Sequence, residues 1–268
     1  MAIARKIEAF GVMPPLLIAA FLITALLYAS VGFGGGSTYN ALLVLSGADY
    51  RVMPLIALVC NMIVVCGGIW RFARTGDLSA RRLLPFLAAS VPAAWIGGRT
   101  PISETFFVGV LGGALLLSGI RLTFQKRESE PVPRHDSTRR IHPILSTSLG
   151  GAIGLLSGLV GIGGGIFLAP VLYFMRWGTP RQIAAASSLF ILVNSFSGLA
   201  GQLMKLQDMA LLSEAAPYWS LPIAVLIGGQ AGSWLASYKL KPDLIRRLTA
   251  LLILYVAARL LWRWTGMI

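Results

Sequence analysis

Two glycine clusters carry most of the chemistry this sequence can offer: Gly32-Phe33-Gly34-Gly35-Gly36 and Gly161-Ile162-Gly163-Gly164-Gly165. Glycine tolerates positive φ and has no side chain to block a close approach. A helix that begins at membrane depth leaves backbone N–H groups unpaired and aims the positive end of its dipole at whatever lies ahead. An anion is the natural partner of such an end. Two of these ends facing each other would form an electropositive cage with no formal charge, suited to an oxyanion that must be released again. A buried arginine pair would cost far more to place in lipid. Ser37 and Thr38 follow the first cluster directly and are placed to donate to oxyanion oxygens. The clusters are not nucleotide loops, because neither is a Gly-x-Gly-x-x-Gly in a βαβ unit or ends in Gly-Lys-Ser/Thr.

Two asparagines join the candidate set. Asn61 and Asn194 each lie mid-span in the apolar segment after a glycine cluster, where an amide needs a partner. That partner is either substrate, or the unwound backbone opposite, or a neighbouring helix through a bond worth ~0.6 kcal/mol on average. Ser187, Ser188, Ser195 and Ser197 are further donors, although serine often bonds back to its own helix. The candidate binding residues are therefore Gly34, Gly35, Gly36, Ser37, Thr38, Asn61, Gly163, Gly164, Gly165, Ser187 and Asn194. Nothing points to a metal or a cofactor: His135 and His142 flank a basic loop, and Cys60 and Cys66 share one apolar run. No Ser/His/Asp set or carboxylate pair lies within the spans, so a membrane enzyme lacks the groups it needs.

The elements that must hold these residues follow from composition. The 268-residue chain is 56% hydrophobic and 12% charged, about half the charge of a soluble domain. This excludes an ordinary soluble enzyme and a disordered chain. The net charge of +13 does not mark a nucleic-acid face, because the Lys and Arg residues fall in short clusters between long apolar runs. Stretches free of Asp, Glu, Lys and Arg are 9–48, 52–70, 83–98, 105–120, 141–175, 182–204, 215–238 and 248–258. A crossing needs ~20 residues. Runs 9–48 and 141–175 are too long for one straight helix, and each holds a glycine cluster near its middle, so each is expected to be two helical pieces joined at glycine.

Basic residues concentrate in loops 71–82, 121–140 and 239–247, which the positive-inside rule places in the cytoplasm. Counting each long run as one crossing puts 15 Lys and Arg residues inside against 8 outside, and counting each as two gives 16 against 7, so the tally leaves both open. The second count alone places all three basic loops inside and makes the halves inverted, with an odd number of crossings each. The expected architecture is an all-α polytopic membrane protein with about eight to ten membrane segments. Residues 1–122 form a first membrane repeat, 123–142 a basic cytoplasmic linker and 143–268 a second repeat. Each repeat is expected to open with a glycine-broken or re-entrant helix, in a multi-pass membrane protein.

The halves match at four landmarks in one order: the glycine clusters, Asn61 with Asn194, Gly97-Gly98 with Gly228-Gly229, and Ser103-Glu104 with Pro242-Asp243. Duplicated halves with interrupted helices at matching places point to a transporter site at the repeat interface. Gly228-Gly229-Gln230-Ala231-Gly232 is expected to serve close packing instead. Residues 154–201, running from Gly154 through Gly163-Gly164-Gly165, Pro170 and Ala185-Ala186-Ser187-Ser188 to Gly198, closely resemble the TauE/SafE sulfite-exporter family, and residues 26–68 resemble its first repeat. The first repeat departs from the pattern where Ala41 replaces a proline, and its stretch Ser37-Thr38-Tyr39-Asn40 is unusually polar. The resemblance implies a secondary permease for a small sulfur-containing anion such as sulfite or an organosulfonate. The alternatives are another small anion or metabolite, or a channel. The partners implied are the small anionic substrate and the lipid bilayer, not nucleic acid. A homodimer is among the allowed assemblies, and a coupling ion is left open.

Overall fold

The computed structural model describes residues 14–30, 33–124, 142–175, 177–205, 215–235 and 242–267. Most of the expected linker, Gly32 and His135 lie outside the described residues. Among those residues the fold is helical, with no strand. Ten helices follow in order: α1 Pro15–Ser30, α2 Gly36–Ser46, α3 Met53–Arg74, α4 Ala80–Arg99, α5 Glu104–Phe124, α6 Pro143–Val160, α7 Gly165–Phe174, α8 Pro180–Lys205, α9 Ser220–Leu235 and α10 Pro242–Thr265. A short 3₁₀ turn, Ala216–Trp219, leads into α9.

Both over-long apolar runs are broken at their glycines. The first divides into α1 and α2 around residues 33–35, the second into α6 and α7 around Gly161–Gly164. In each, a longer helix of 16 or 18 residues is followed by a short one of 11 or 10. At ~1.5 Å per residue the short members reach only about half-way through a ~30 Å hydrocarbon core. The stops and starts are local. Gly47, in the left-handed region at φ 80°, ends α2, with its N–H on Val44 O and the Ala48 N–H on Leu43 O. Proline occupies the first turn of α3 and of α6, where a missing N–H costs nothing.

Among the described residues three helices are long and apolar enough to cross a membrane by length and composition: Met53–Arg74, Pro143–Val160 and Arg181–Lys205. The outer surface agrees with a lipid surround, since Phe174 (89%), Leu16 (82%) and Trp262 (84%) stand exposed. Water would penalise an apolar exterior of this kind, whereas lipid tails do not. The interior carries the polarity. Among the described residues the buried polar side chains are neutral: Ser, Thr, Asn and Gln, with the hydroxyls of Tyr28 and Tyr39.

Helix packing is reciprocal between the first five helices and the last five. Helix α4 packs on α6 and α8; its counterpart α9 packs on α1 and α3. The remaining large contacts pair equivalents, α3 with α8 and α5 with α10. The aligned glycine pairs explain the cross-packing. A Cβ on Gly97 would run into the Leu155 carbonyl of α6, and one on Gly98 into the Gly198 carbonyl of α8. Likewise Gly228 abuts the Leu22 carbonyl of α1, and Gly229 lies 3.5 Å from Val64 of α3. Gly150, Gly154 and Gly158, one turn apart on α6, take Phe86, Ser90 and Ala94 of α4 in the same manner. Where apolar burial drives nothing in lipid, such close backbone contact supplies the association.

Candidate functional site

The two breaks meet at one side chain. Asn61, fully buried on α3, donates from Nδ2 to the carbonyl of Ile162 inside the second break, at 2.9 Å. Its Oδ1 lies 2.5 Å from where a Gly34 Cβ would stand, and its Nδ2 lies 3.0 Å from where a Gly163 Cβ would stand. Ile191 of α8 fills the other side of the junction, its Cγ2 3.4 Å from the Gly34 position and 2.9 Å from the Gly163 position. Asn61 and Ile191 thus occupy the volume that side chains would take at Gly34, Gly36, Gly163 and Gly165. Of the choices open to Asn61 from sequence, the backbone of the opposite break is the one found in this conformation.

Neither half-length helix is closed by a side chain. Gly35 stands at the N-cap of α2 and Gly164 at that of α7, with no side-chain cap hydrogen bond at either. At α7 the Phe167 N–H turns in to Gly164 O, while the N–H groups before it in both helices have no intrahelical acceptor. The two breaks reach this state by different backbone routes. Gly161, Gly163 and Gly164 have φ of 71°, 82° and 79°, which an L side chain adopts only with strain. Gly35 has φ −99°, and none of Gly34, Gly35 and Gly36 is positive. The expectation of glycine for positive φ therefore holds at the second break. At the first, glycine is required because Asn61, Tyr39 and Thr24 come so close.

Polar atoms without a partner collect around these glycines. Buried atoms lacking a hydrogen bond include Asn61 Oδ1, Tyr39 Oη, Ser157 Oγ, Ser195 Oγ, Ser187 Oγ and Asn194 Oδ1. Tyr39 Oη lies 2.9 Å from the Gly35 Cβ position, and Ser195 Oγ 3.0 Å from that of Gly163. Ser157 Cβ lies 3.3 Å from the Gly164 position. A buried polar group left unmade costs about 1–3 kcal/mol, so a cluster of them marks a place built for something else.

The other expected residues divide. Thr38 shares a 2.8 Å hydrogen bond with the Tyr28 hydroxyl, and Ser37 lies beside the same hydroxyl. Both are buried within the first break's own surroundings. Ser187 is buried on α8, its carbonyl 3.4 Å from the Gly165 position. Asn194 bonds back along its own helix to Phe190 O at 2.9 Å and does not mirror Asn61. Ser197 and Gln202 serve packing, donating to Val91 O on α4 and Gly158 O on α6.

Sequence reasoning missed Asn40. Its Nδ2 donates to Val160 O at 2.8 Å and Gly161 O at 3.3 Å, tying α2 to the end of α6. With Asn61 it holds three successive carbonyls of the second break from the first five helices. The polarity of Ser37-Thr38-Tyr39-Asn40 was the available signal. Tyr39, stacked on Phe21 with ring centroids 4.8 Å apart, was missed for the same reason.

A bundle with an apolar exterior, neutral buried polar groups and two broken helices meeting at its centre belongs to the multi-pass membrane transporters. Within that class the chain belongs to a defined family: the model for the sulfite exporter TauE/SafE family matches residues 16–260. It is 35% identical over 244 residues, 91% of this chain and 96% of the other, to the probable membrane transporter protein y4hK of Sinorhizobium fredii (strain NBRC 101917 / NGR234). No solved structure matches. The chain is a membrane transporter rather than an enzyme.

Proposed function

We propose that this transporter is a secondary permease of the bacterial inner membrane for a small sulfur-containing anion, such as sulfite or an organosulfonate. The anion binds between the two glycine breaks and is moved by alternating access of two inverted halves. The observation that supports this most is the junction itself. Two uncapped helix N-termini, at Gly35 and Gly164, lie in breaks joined by Asn61 and flanked by unpartnered hydroxyls of Tyr39, Ser157 and Ser195. Helix N-termini and hydroxyls bind an oxyanion without a full positive charge, and therefore release it. In the conformation described, Asn61 and Ile191 fill the junction, so binding requires Gly34 and the first break to draw back from Asn61, which stays on Ile162 O.

The reciprocal packing of α4 on α6 and α8, and of α9 on α1 and α3, supports halves that exchange roles during the cycle. The test is saturable flux of sulfite in liposomes, with taurine, sulfoacetate, thiosulfate and sulfate as competitors. Saturation with competition by a subset of these anions is expected. Flux that stays linear with concentration would indicate a channel, and no flux from correctly inserted protein would sink the sulfur-anion reading.

A further inference from the structure

Asn40, Asn61 and Asn194 each keep a buried, unpartnered amide oxygen, and that of Asn61 lies directly against a break glycine, Gly34. The acceptor at 2.9 Å from the Asn61 amide nitrogen is a backbone carbonyl, which cannot donate, so the orientation of the amide is forced. Nδ2 belongs to Ile162 O, and Oδ1 is left facing Gly34, fully buried and without a partner. The N–H groups at the starts of α2 and α7 can only donate. The hydroxyls of Tyr39, Ser157 and Ser195 can donate or accept. An anion that carries no proton can satisfy every one of these groups, but not Asn61 Oδ1. Against that oxygen it leaves two acceptors facing each other.

Building on the anion-permease reading above, we infer that Asn61 Oδ1 determines specificity by accepting a hydrogen bond from the cargo. The carrier accordingly prefers anions bearing an O–H or N–H over otherwise equal anions bearing none. The anionic end lies toward the helix starts and hydroxyls, and the donor end toward Asn61. A site built to pair a substrate donor rejects the analogue lacking it, because its own acceptor is then left unmade. On the lower side of that cost the preference is roughly tenfold.

The experiment compares half-saturating concentrations for counterflow of 2-hydroxyethanesulfonate and ethanesulfonate in proteoliposomes, with 2-aminoethanesulfonate as a third arm. The hydroxylated anion should half-saturate at a concentration roughly tenfold lower than ethanesulfonate. The third arm tells whether an ammonium serves the acceptor as well as a hydroxyl does. Asn61→Ala should bring the first two anions to the same value. Ser195→Ala should weaken both equally and leave their ratio unchanged. Equal half-saturation in the unaltered protein overturns the donor rule and leaves the permease reading standing. Transport of neither sulfonate overturns the donor rule and leaves the permease reading standing if sulfite flux is saturable, and sinks both if sulfite is not carried either. A preference that survives in Asn61→Ala places the acceptor elsewhere and removes Asn61 from the role.

Discussion

The two glycine breaks share a sequence pattern and differ in almost everything built on it. At the second, three glycines take left-handed φ, and the helix that follows begins Gly165-Ile166-Phe167-Leu168-Ala169. At the first, none of Gly34–Gly36 is left-handed, and the helix that follows begins Gly36-Ser37-Thr38-Tyr39-Asn40. The second break needs glycine both for its left-handed backbone and for close neighbours. The first needs it for close neighbours alone, and its helix is the one that opens with polar residues. It also reaches across: Asn40 and Asn61 bond three carbonyls of the second break, while Asn194 turns back on its own helix and Ala169 stands where Asn40 would be matched.

The largest effects should come from the glycines, and they should differ in kind. Gly164→Val places a branched side chain at φ 79° with the Phe190 ring 2.8 Å from its Cβ. It should abolish saturable flux while leaving membrane insertion intact. Gly35→Val should also abolish flux, through Tyr39 Cζ at 2.6 Å, but at a φ any residue adopts. Alanine separates the two. Gly164→Ala bears the left-handed strain of about 1–3 kcal/mol in addition to crowding, whereas Gly35→Ala asks only that an aromatic ring shift. Thermal melts in detergent should place Gly164→Ala clearly below Gly35→Ala. Equal melting points would dissolve the distinction between a conformational and a contact glycine.

The asparagines sharpen the comparison next. Asn61→Ala removes the partner of Ile162 O and leaves a buried carbonyl unmade, at about 1–3 kcal/mol. It should also raise the half-saturating concentration of the cargo. Asn194→Ala loses only a bond to Phe190 O within its own helix and should cost on the order of 0.6 kcal/mol, with transport little changed. If the two variants behave alike, in melts and in flux, then the asymmetry of the breaks has no energetic content. Asn40→Ala should cost at least as much stability as Asn61→Ala, since the carbonyls of both Val160 and Gly161 lose their side-chain donor.

How much of this was legible beforehand follows the same division. Helix class, the position of both breaks, the pairing of Gly97-Gly98 with Gly228-Gly229, and Asn61 as a candidate could all be read from spacing. Each rests on residues a short distance apart, or on a repeat that can be laid over itself. What could not be read was which half a side chain reaches into. Asn61 and Asn194 sit in equivalent spans, 25 residues after Gly36 and 29 after Gly165, and one bonds across while the other bonds back. That choice is made by the helix packed opposite, which the local sequence does not contain. The same holds for the glycines: Gly34-Gly35-Gly36 and Gly163-Gly164-Gly165 are identical strings, so their differing φ values come from surroundings alone.

The smallest effect is expected where the first break's half-length helix is anchored to its exit loop. Beyond Gly47 the chain turns through Asp49, whose carboxylate accepts hydrogen bonds from Arg51 Nε at 3.0 and 3.1 Å and from the Arg51 backbone N–H at 2.8 Å. The Arg51 hydrogen bond holds the Asp49 carboxyl below its ordinary value of 3.8, against a smaller opposing effect of burial. A carboxyl depressed in the folded state stabilises fully above its unfolded pKa, and that contribution is lost as pH falls through the folded value. Asp49→Asn should therefore lower the melting point by a constant amount from neutral pH down to about pH 4, and by progressively less below it. Both side chains are partly exposed, at 47% and 25%, so the contribution should stay within about 0.2–1 kcal/mol and shrink with added salt. Arg263 meanwhile holds the end of α2 by a different route, donating to Val44 O at 2.6 Å and to Glu104 at 3.1 Å. If Asp49→Asn cost several-fold more than this, the loop rather than the junction with the second break would be what positions α2.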